Sequence, residues 1–209
     1  MTTIYLARHG QSEANHKSLI TGQLDVELSS RGREQSEALA RCLSGEPLHA
    51  IYTSALKRTV QTAQPTALAR KMPIVELPAL NEIHLGELQG RYRDERDVQA
   101  QSLWAAWQAD LWQFRVPQGE TFSELALRAG QMLEELLNRH QGQCILIVGH
   151  RATNRVLMGS LLNWPKERWQ EIRLRNKFFY RIEPGESPVI TTIALSGSKG
   201  GVRQPGFIM

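Results

Sequence analysis

Thr2-Thr3-Ile4-Tyr5-Leu6-Ala7-Arg8-His9-Gly10 opens the chain as a short β-branched and aromatic run, the pattern of a buried strand. The run stops on a cation, an imidazole and a glycine. Charged groups at that point lie on the C-terminal edge of a sheet, where open α/β sheets bind ligands. Gly10 permits a tight turn and close approach by another group. His9 reads as a chemical group and Arg8 as its anion-holding neighbour. A plain strand-end turn with two exposed polar side chains accounts for the tripeptide equally well.

A second apolar run, 143–148, ends in Gly149-His150 and mirrors the first. Further strands are predicted at 48–52, 73–77, 177–182 and 189–195. Between them, helical patterns cover 33–43 behind a serine N-cap, 55–70, 94–112, 122–139 and 152–162. The apolar positions of 122–139 follow a 3.6-residue period. Alternating strands and helices predict an α/β fold, a three-layer α/β/α sandwich with a mostly parallel central sheet.

The chain of 209 residues suits one domain, placed at 1–195, and 196–209 reads as a mobile Gly/Ser-rich tail. A hydrophobic content of 41% and a charged content of 22% are those of a soluble globular protein. No apolar run could span a bilayer and no secretory pattern opens the chain, so no membrane partner and a cytoplasmic location are expected. The net charge of +4 is scattered rather than massed, which speaks against nucleic acid and suits a small anionic substrate. Cys42 and Cys144 read as buried thiols, and neither has partners for a zinc site.

If both histidine-ended strands are central and parallel, His9 and His150 project from one sheet edge. Ser54-Ala55-Leu56-Lys57-Arg58-Thr59 puts Arg58 in the first turn of a helix at that edge. The helix dipole disfavours a cation there, and a held anion would explain it. Two arginines and two histidines around one point make a phosphate pocket, because guanidinium forks match phosphate oxygens. A histidine can be the nucleophile of such a site. Glu82, just past the third strand, could protonate a leaving oxygen and then activate water. Individually, Arg58 as a surface residue, Glu82 as a loop carboxylate and His150 as a helix cap are the readier readings; the ordered set favours a site.

The ordered set resembles the histidine phosphatase superfamily, also called phosphoglycerate mutase-like. The resemblance runs over about residues 3 to 183 and rests on Arg8-His9-Gly10-Gln11-Ser12-Glu13-Ala14-Asn15, Leu28-Ser29-Ser30-Arg31-Gly32, the Arg58 segment, Leu80-Asn81-Glu82-Ile83, Gly119-Glu120-Thr121 and Gly149-His150. It implies the phosphoglycerate mutase-like fold and a phosphohistidine at His9. It also implies Glu82 as proton donor and Arg8, Arg58 and His150 as phosphoryl-holding groups, with Asn15, Thr21, Gly22 and Gln23 assisting. No metal and no cofactor are implied.

The short span from Ile83 to Gln118 looks like the phosphatase branch, since the mutases of the family carry a longer insert. Local wording is similar to fructose-2,6-bisphosphatase, but Arg151 stands where that branch has glutamine. Arg151, Arg155 or Arg115 could hold a second negative group on the substrate, and Arg151 could equally point away into a surface ion pair. Trp104 and Trp107 share a helix face and read as core or lid packing; His49 and His140 read as surface residues. The expected activity is hydrolysis of a small phosphorylated metabolite, a sugar phosphate or a relative of one. The alternatives are a 2,3-bisphosphoglycerate-dependent mutase and a non-catalytic phospho-ligand-binding module. The sequence does not fix oligomeric state and leaves a homodimer open.

Overall fold

A computed structural model describes residues 1–195 and 201–208, apart from the side chains of Asn15 and His16. Four strands form the parallel half of one sheet: β1 (Thr3–Arg8), β2 (Leu48–Thr53), β3 (Ile74–Glu76) and β4 (Cys144–Gly149). Three more, β5 (Phe178–Glu183), β6 (Val189–Ala194) and β7 (Val202–Pro205), extend it as an antiparallel meander. The order is β3-β2-β4-β1-β5-β6-β7, so β1 and β4 are neighbours in the interior.

The sheet is covered on both sides because its strands alternate between two apolar layers. In β1, Tyr5 and Ala7 pack with Leu39, Leu43, Ile51 and Ala63, while Ile4 and Leu6 pack with Leu125, Leu133, Val156 and Leu157. This is the period-two alternation of a strand buried on both faces. After the short α1 (Glu13–His16), α2 (Ser30–Leu43) and α3 (Lys57–Arg70) supply the first layer. The second layer comes from α4 (Val98–Ala109), α5 (Phe122–Arg139) and α6 (Arg151–Leu161). The three-layer α/β expectation therefore holds. Among the described residues no helix is long and apolar enough to cross a membrane.

Local chemistry sets the helix starts. Ser29 caps α2 by accepting from Gly32 N–H at 3.2 Å. Thr121 and Glu124 cap α5 reciprocally, a capping box at the Gly-Glu-Thr turn. The helix read at 94–112 is shorter, because Asp97 accepts from Ala100 N–H at 3.0 Å and starts α4 there. Both cysteines are free; Cys42 is buried and Cys144 half-buried.

Two readings change. The segment expected as a mobile tail is partly sheet: Gly201 turns at φ +63° and Val202–Pro205 pair with β6, covering its open edge. The remaining tail positions, 196–200 and 209, lie outside the described residues. His140 is not a surface residue, for it is 8% exposed and its Nε2 lies 2.7 Å from Tyr52 Oη.

Candidate active site

The pairing of β1 with β4 runs in parallel register, with Arg8 opposite Gly149. The next residue on each strand is a histidine, and His9 N–H donates to Gly149 O at 3.0 Å. The two imidazole centroids are thereby 5.2 Å apart. Glycine is required at 149, since a Cβ there would lie 2.1 Å from Asn154 Oδ1, and Asn154 Nδ2 ties α6 to β1 at Ala7 O, 2.9 Å. Gly10 and Gly32 serve a similar close approach: a Cβ on Gly10 would stand 2.6 Å from Gly32 O. The loop after β1 thus lies directly on the start of α2.

His9 is 5% exposed. Its Nδ1 lies 2.7 Å from Gly10 O; a carbonyl only accepts, so Nδ1 carries the proton and Nε2 has a free lone pair. Burial, then the Arg58 and Arg8 cations, hold the imidazole well below the usual 6.5. Both effects keep the ring neutral and therefore nucleophilic.

Arg58 is 1% exposed at the start of α3. Its Nη1 and Nη2 donate to Leu24 O and Gly22 O, each at 2.7 Å, so the 22–24 turn holds the guanidinium in place. Arg8 Nη1 donates to Leu174 O at 3.1 Å. The Nε of each arginine is buried without a hydrogen-bond partner among the described residues. Burial pushes both guanidinium groups down to about 10, yet both stay charged at neutral pH.

His150 is fully buried at the N-cap of α6. Thr59 Oγ1 lies 2.8 Å from Leu56 O and 3.1 Å from Ser54 O, so its hydrogen goes to a carbonyl. Ser54 then gives its hydrogen to Thr59 Oγ1 at 2.8 Å and accepts from His150 Nε2–H at 2.7 Å. His150 Nδ1 is left without a partner. Burial, then Arg58, His9 and Arg8, hold this ring below 6.5 as well. Ser54 and Thr59 sit inside the motif that flagged Arg58, but nothing local to them points to a histidine 96 residues away.

Glu82 projects over the first turn of α6. Its Oε1 accepts from Ile83 N–H at 3.0 Å, Ala152 N–H at 3.1 Å and Thr153 N–H at 3.2 Å, while the Thr153 hydroxyl donates to Asn81 O at 2.9 Å. Oε2 accepts only from Ala152 N–H, at 3.2 Å. The backbone below is clamped. Arg128 donates to Ala79 O at 2.7 Å and Glu82 O at 3.1 Å, and Gln23 Nε2 donates to Glu82 O at 2.9 Å. Glu120 holds Arg128 through Oε1 at 2.6 Å and Oε2 at 3.0 Å. The Gly-Glu-Thr turn thus braces the loop bearing Glu82. Arg128 was not flagged by the sequence; on α5 it looks like any solvent-facing helix arginine.

These motifs match those of known proteins. The family model for branch 1 of the histidine phosphatase superfamily covers residues 4–192. The chain belongs to the histidine phosphatase superfamily. It is 34% identical to "Probable phosphoglycerate mutase GpmB" of Serratia proteamaculans, over 90% of this chain and 87% of that one. It is 35% identical to "Metal-independent phosphoserine phosphatase" of Arabidopsis thaliana, over 78% and 74% of the two chains. Among solved structures it is similar to the α-ribazole phosphatase from Shigella flexneri, with a TM-score of 0.81, 25% identity, and 94% and 96% coverage. Homologues with named phosphatase activities support a phosphoric monoester hydrolase.

In this histidine phosphatase a cavity of about 430 Å³ opens over Arg8, His9, Arg58 and Glu82. Thr21 and Gly22 line it, and Thr21 Oγ1 is buried without a partner. Neither Gln23 nor the fully buried His150 lines it; Gln23 Nε2 donates to Glu82 O and so helps position that residue. The side chain of Asn15 lies outside the described residues. Arg151 and Arg155 both line the cavity, and Arg155 is 7% exposed with Nε donating to Ile172 O at 3.0 Å. Trp104 and Trp107, with centroids 4.9 Å apart, form an apolar wall of it. His84 faces the loop, where its Nδ1 accepts from Gly86 N–H at 3.2 Å.

Proposed function

We propose that this protein is a metal-independent phosphatase that hydrolyses small phosphomonoesters through a phosphohistidine at His9. One observation carries the reading. Around the neutral His9 ring, Arg8 Nε, Arg58 Nε and His150 Nδ1 are buried without hydrogen-bond partners among the described residues. Buried polar groups are normally satisfied, and a phosphoryl group bearing one proton would satisfy all three: its oxygens accept from both Nε–H groups and its P–OH donates to His150 Nδ1.

His9 Nε2 attacks phosphorus as the ester P–O bond breaks. Arg8 and Arg58 offset the charge on the equatorial oxygens. A proton on a phosphoryl oxygen is shared with His150 Nδ1. The leaving alkoxide takes its proton from Glu82, whose Oε2 is the natural carrier because it has the fewer donors. Glu82 then takes a proton from water, the hydroxide attacks phosphorus, and the N–P bond breaks. Inorganic phosphate leaves and His9 is restored.

Rapid quench with a labelled phosphomonoester tests this. A base-stable, acid-labile label should appear on His9 within the first turnover and disappear with phosphate release. In His9→Ala the label should vanish and kcat should fall by on the order of 10⁴-fold or more. Label at another residue, or turnover without a phosphoenzyme, refutes the nucleophile.

The mutase reading has one observation in its favour, the mutase name of several relatives. The short 83–118 connection supports hydrolysis over it. Transfer to a phosphoglycerate acceptor without phosphate release would decide for the mutase.

A further inference from the structure

Arg8 and Arg58 have the same task at the phosphoryl group but are held unequally. Two carbonyls fix Arg58, whereas Arg8 makes a single hydrogen bond among the described residues, from Nη1 to Leu174 O at 3.1 Å. Whatever fixes Leu174 O therefore decides where Arg8 points.

Leu174 lies in the connection between α6 and β5, which forms the cavity wall at Gln170, Glu171 and Arg173. From Glu171 to Arg175 exposed and buried residues alternate, with Ile172 and Leu174 turned inward. This is the pattern of extended backbone, and Ile172 has extended angles. Yet the segment pairs with no strand among the described residues, so its carbonyls need other partners. Two arginines supply them. Arg155, on α6, donates from Nε to Ile172 O at 3.0 Å, and Arg8 takes the carbonyl two residues on.

The same connection is packed onto α6 at Gly159, where a Cβ would stand 2.4 Å from Trp169 Nε1. That Nε1 donates to Trp164 O at 2.9 Å. Helix α6 thereby reaches three groups of the site. His150 is its N-cap, Glu82 sits on its first turn, and Arg155 links it through the 172–174 backbone to Arg8.

A buried arginine on a carbonyl is ordinarily a plain structural tie. Here burial and then the charges of Arg151 and Arg173 push Arg155 down to about 10. Neither Arg155 nor Arg8 is ion-paired among the described residues. A buried cation without a carboxylate is a costly way to hold a segment that Trp169, Ile172 and Leu174 already anchor by burial. Its specific effect is on the line of carbonyls that ends at Arg8.

We propose that Arg155 is a positioning residue for phosphoryl transfer: it fixes the 172–174 backbone and, through Leu174 O, the direction of Arg8, rather than binding the substrate. This rests on the hydrolase reading above and adds a residue to its mechanism.

The test is rapid quench with labelled phenyl phosphate, an ester with no second anionic group. It reads the first-order rate constant for labelling His9, which does not depend on how much of the enzyme is folded. In Arg155→Met that constant should fall about 10- to 100-fold, the cost of misplacing a group by about 1 Å, with KM changed less than about threefold. Arg155→Lys keeps a charge and a donor but not the planar guanidinium. It should show a smaller fall, and it carries the same test if Arg155→Met does not fold. In an Arg8→Ala background either substitution at 155 should cost almost nothing more, because the two residues act as one unit. The full loss retained in that background, or an unchanged rate constant in the Arg155 variants, overturns the positioning role alone. A loss confined to esters with a second anionic group makes Arg155 a substrate contact and overturns it equally. Absence of label in the unaltered enzyme overturns this role together with the phosphohistidine reading.

Discussion

The two ends of the cavity are built in different ways. At the inner end, His9 and His150 are adjacent because β1 and β4 pair in register, and Arg58 is clamped by two carbonyls. Every group there is buried; carbonyls hold His9 and Arg58, and the Ser54 hydroxyl holds His150. At the outer end, Arg93 and Arg173 stand on exposed segments, Arg151 is half-buried, and almost nothing holds them. Rigid backbone placement suits chemistry that must be repeated within tenths of an ångström. The contrast teaches that one pocket can combine groups fixed by strand pairing with side chains that the fold barely holds.

The sharpest way to break this division is to alter each end and read different quantities. Glu82→Gln should lower kcat by about 10²- to 10⁴-fold for alkyl phosphates, and far less for p-nitrophenyl phosphate, whose leaving group needs no proton. In Arg93→Gln the dependence on leaving-group pKa should keep its slope. A linear free-energy series over substituted esters makes both measurements; equal slopes in Glu82→Gln and the unaltered enzyme would remove Glu82 as the acid.

A smaller effect tests whether the inner end depends on its bracing. Arg128→Met cuts the link from Glu120 to the Glu82 backbone. A misplacement of about 1 Å can cost on the order of 10²-fold, so kcat should fall about 10- to 100-fold, with KM changed much less. Glu120→Gln should show partial loss, and the double variant should be non-additive. Additive losses would mean that the two residues act separately.

The smallest effect is thermodynamic. Both inner histidines titrate below 6.5 in the fold, whereas in the unfolded chain they titrate near 6.5. Below that pH the unfolded state takes up protons that the native state refuses, so the stability present above pH 6.5 is lost as pH falls towards the folded values. Urea unfolding between pH 7.5 and 5 should show a loss of up to about 1.4 kcal/mol per pH unit for each histidine. His150→Asn should flatten that slope.

The same division governs what could be read from the sequence. Strand-end histidines and a helix-start arginine carry local patterns, so the inner groups and the α/β layers were visible in β-branched runs and caps. The Ser54–Thr59 chain that orients His150 and the Arg128 clamp on Glu82 were not, because they join residues far apart through side chains with unremarkable local settings. Gln23 was read as a substrate contact, yet its amide is turned to Glu82 O. His140 was read as exposed because a polar residue at a helix end usually is; its bond to Tyr52 Oη depends on a strand packed beneath it. The strand in Val202–Pro205 was hidden by the glycines and serine before it.

The position of β1 has a consequence for biosynthesis. Its neighbours are β4 and β5, both encoded in the last third of the chain. β1 therefore waits, apolar on both faces and unpaired on both edges, until residues 144–149 and 178–183 have been made. Long-range pairing of this kind is slow and exposes aggregation-prone edges. Regain of activity on refolding should accordingly be among the last events, trailing the recovery of helix signal, because His9 and His150 meet only when β1 pairs with β4.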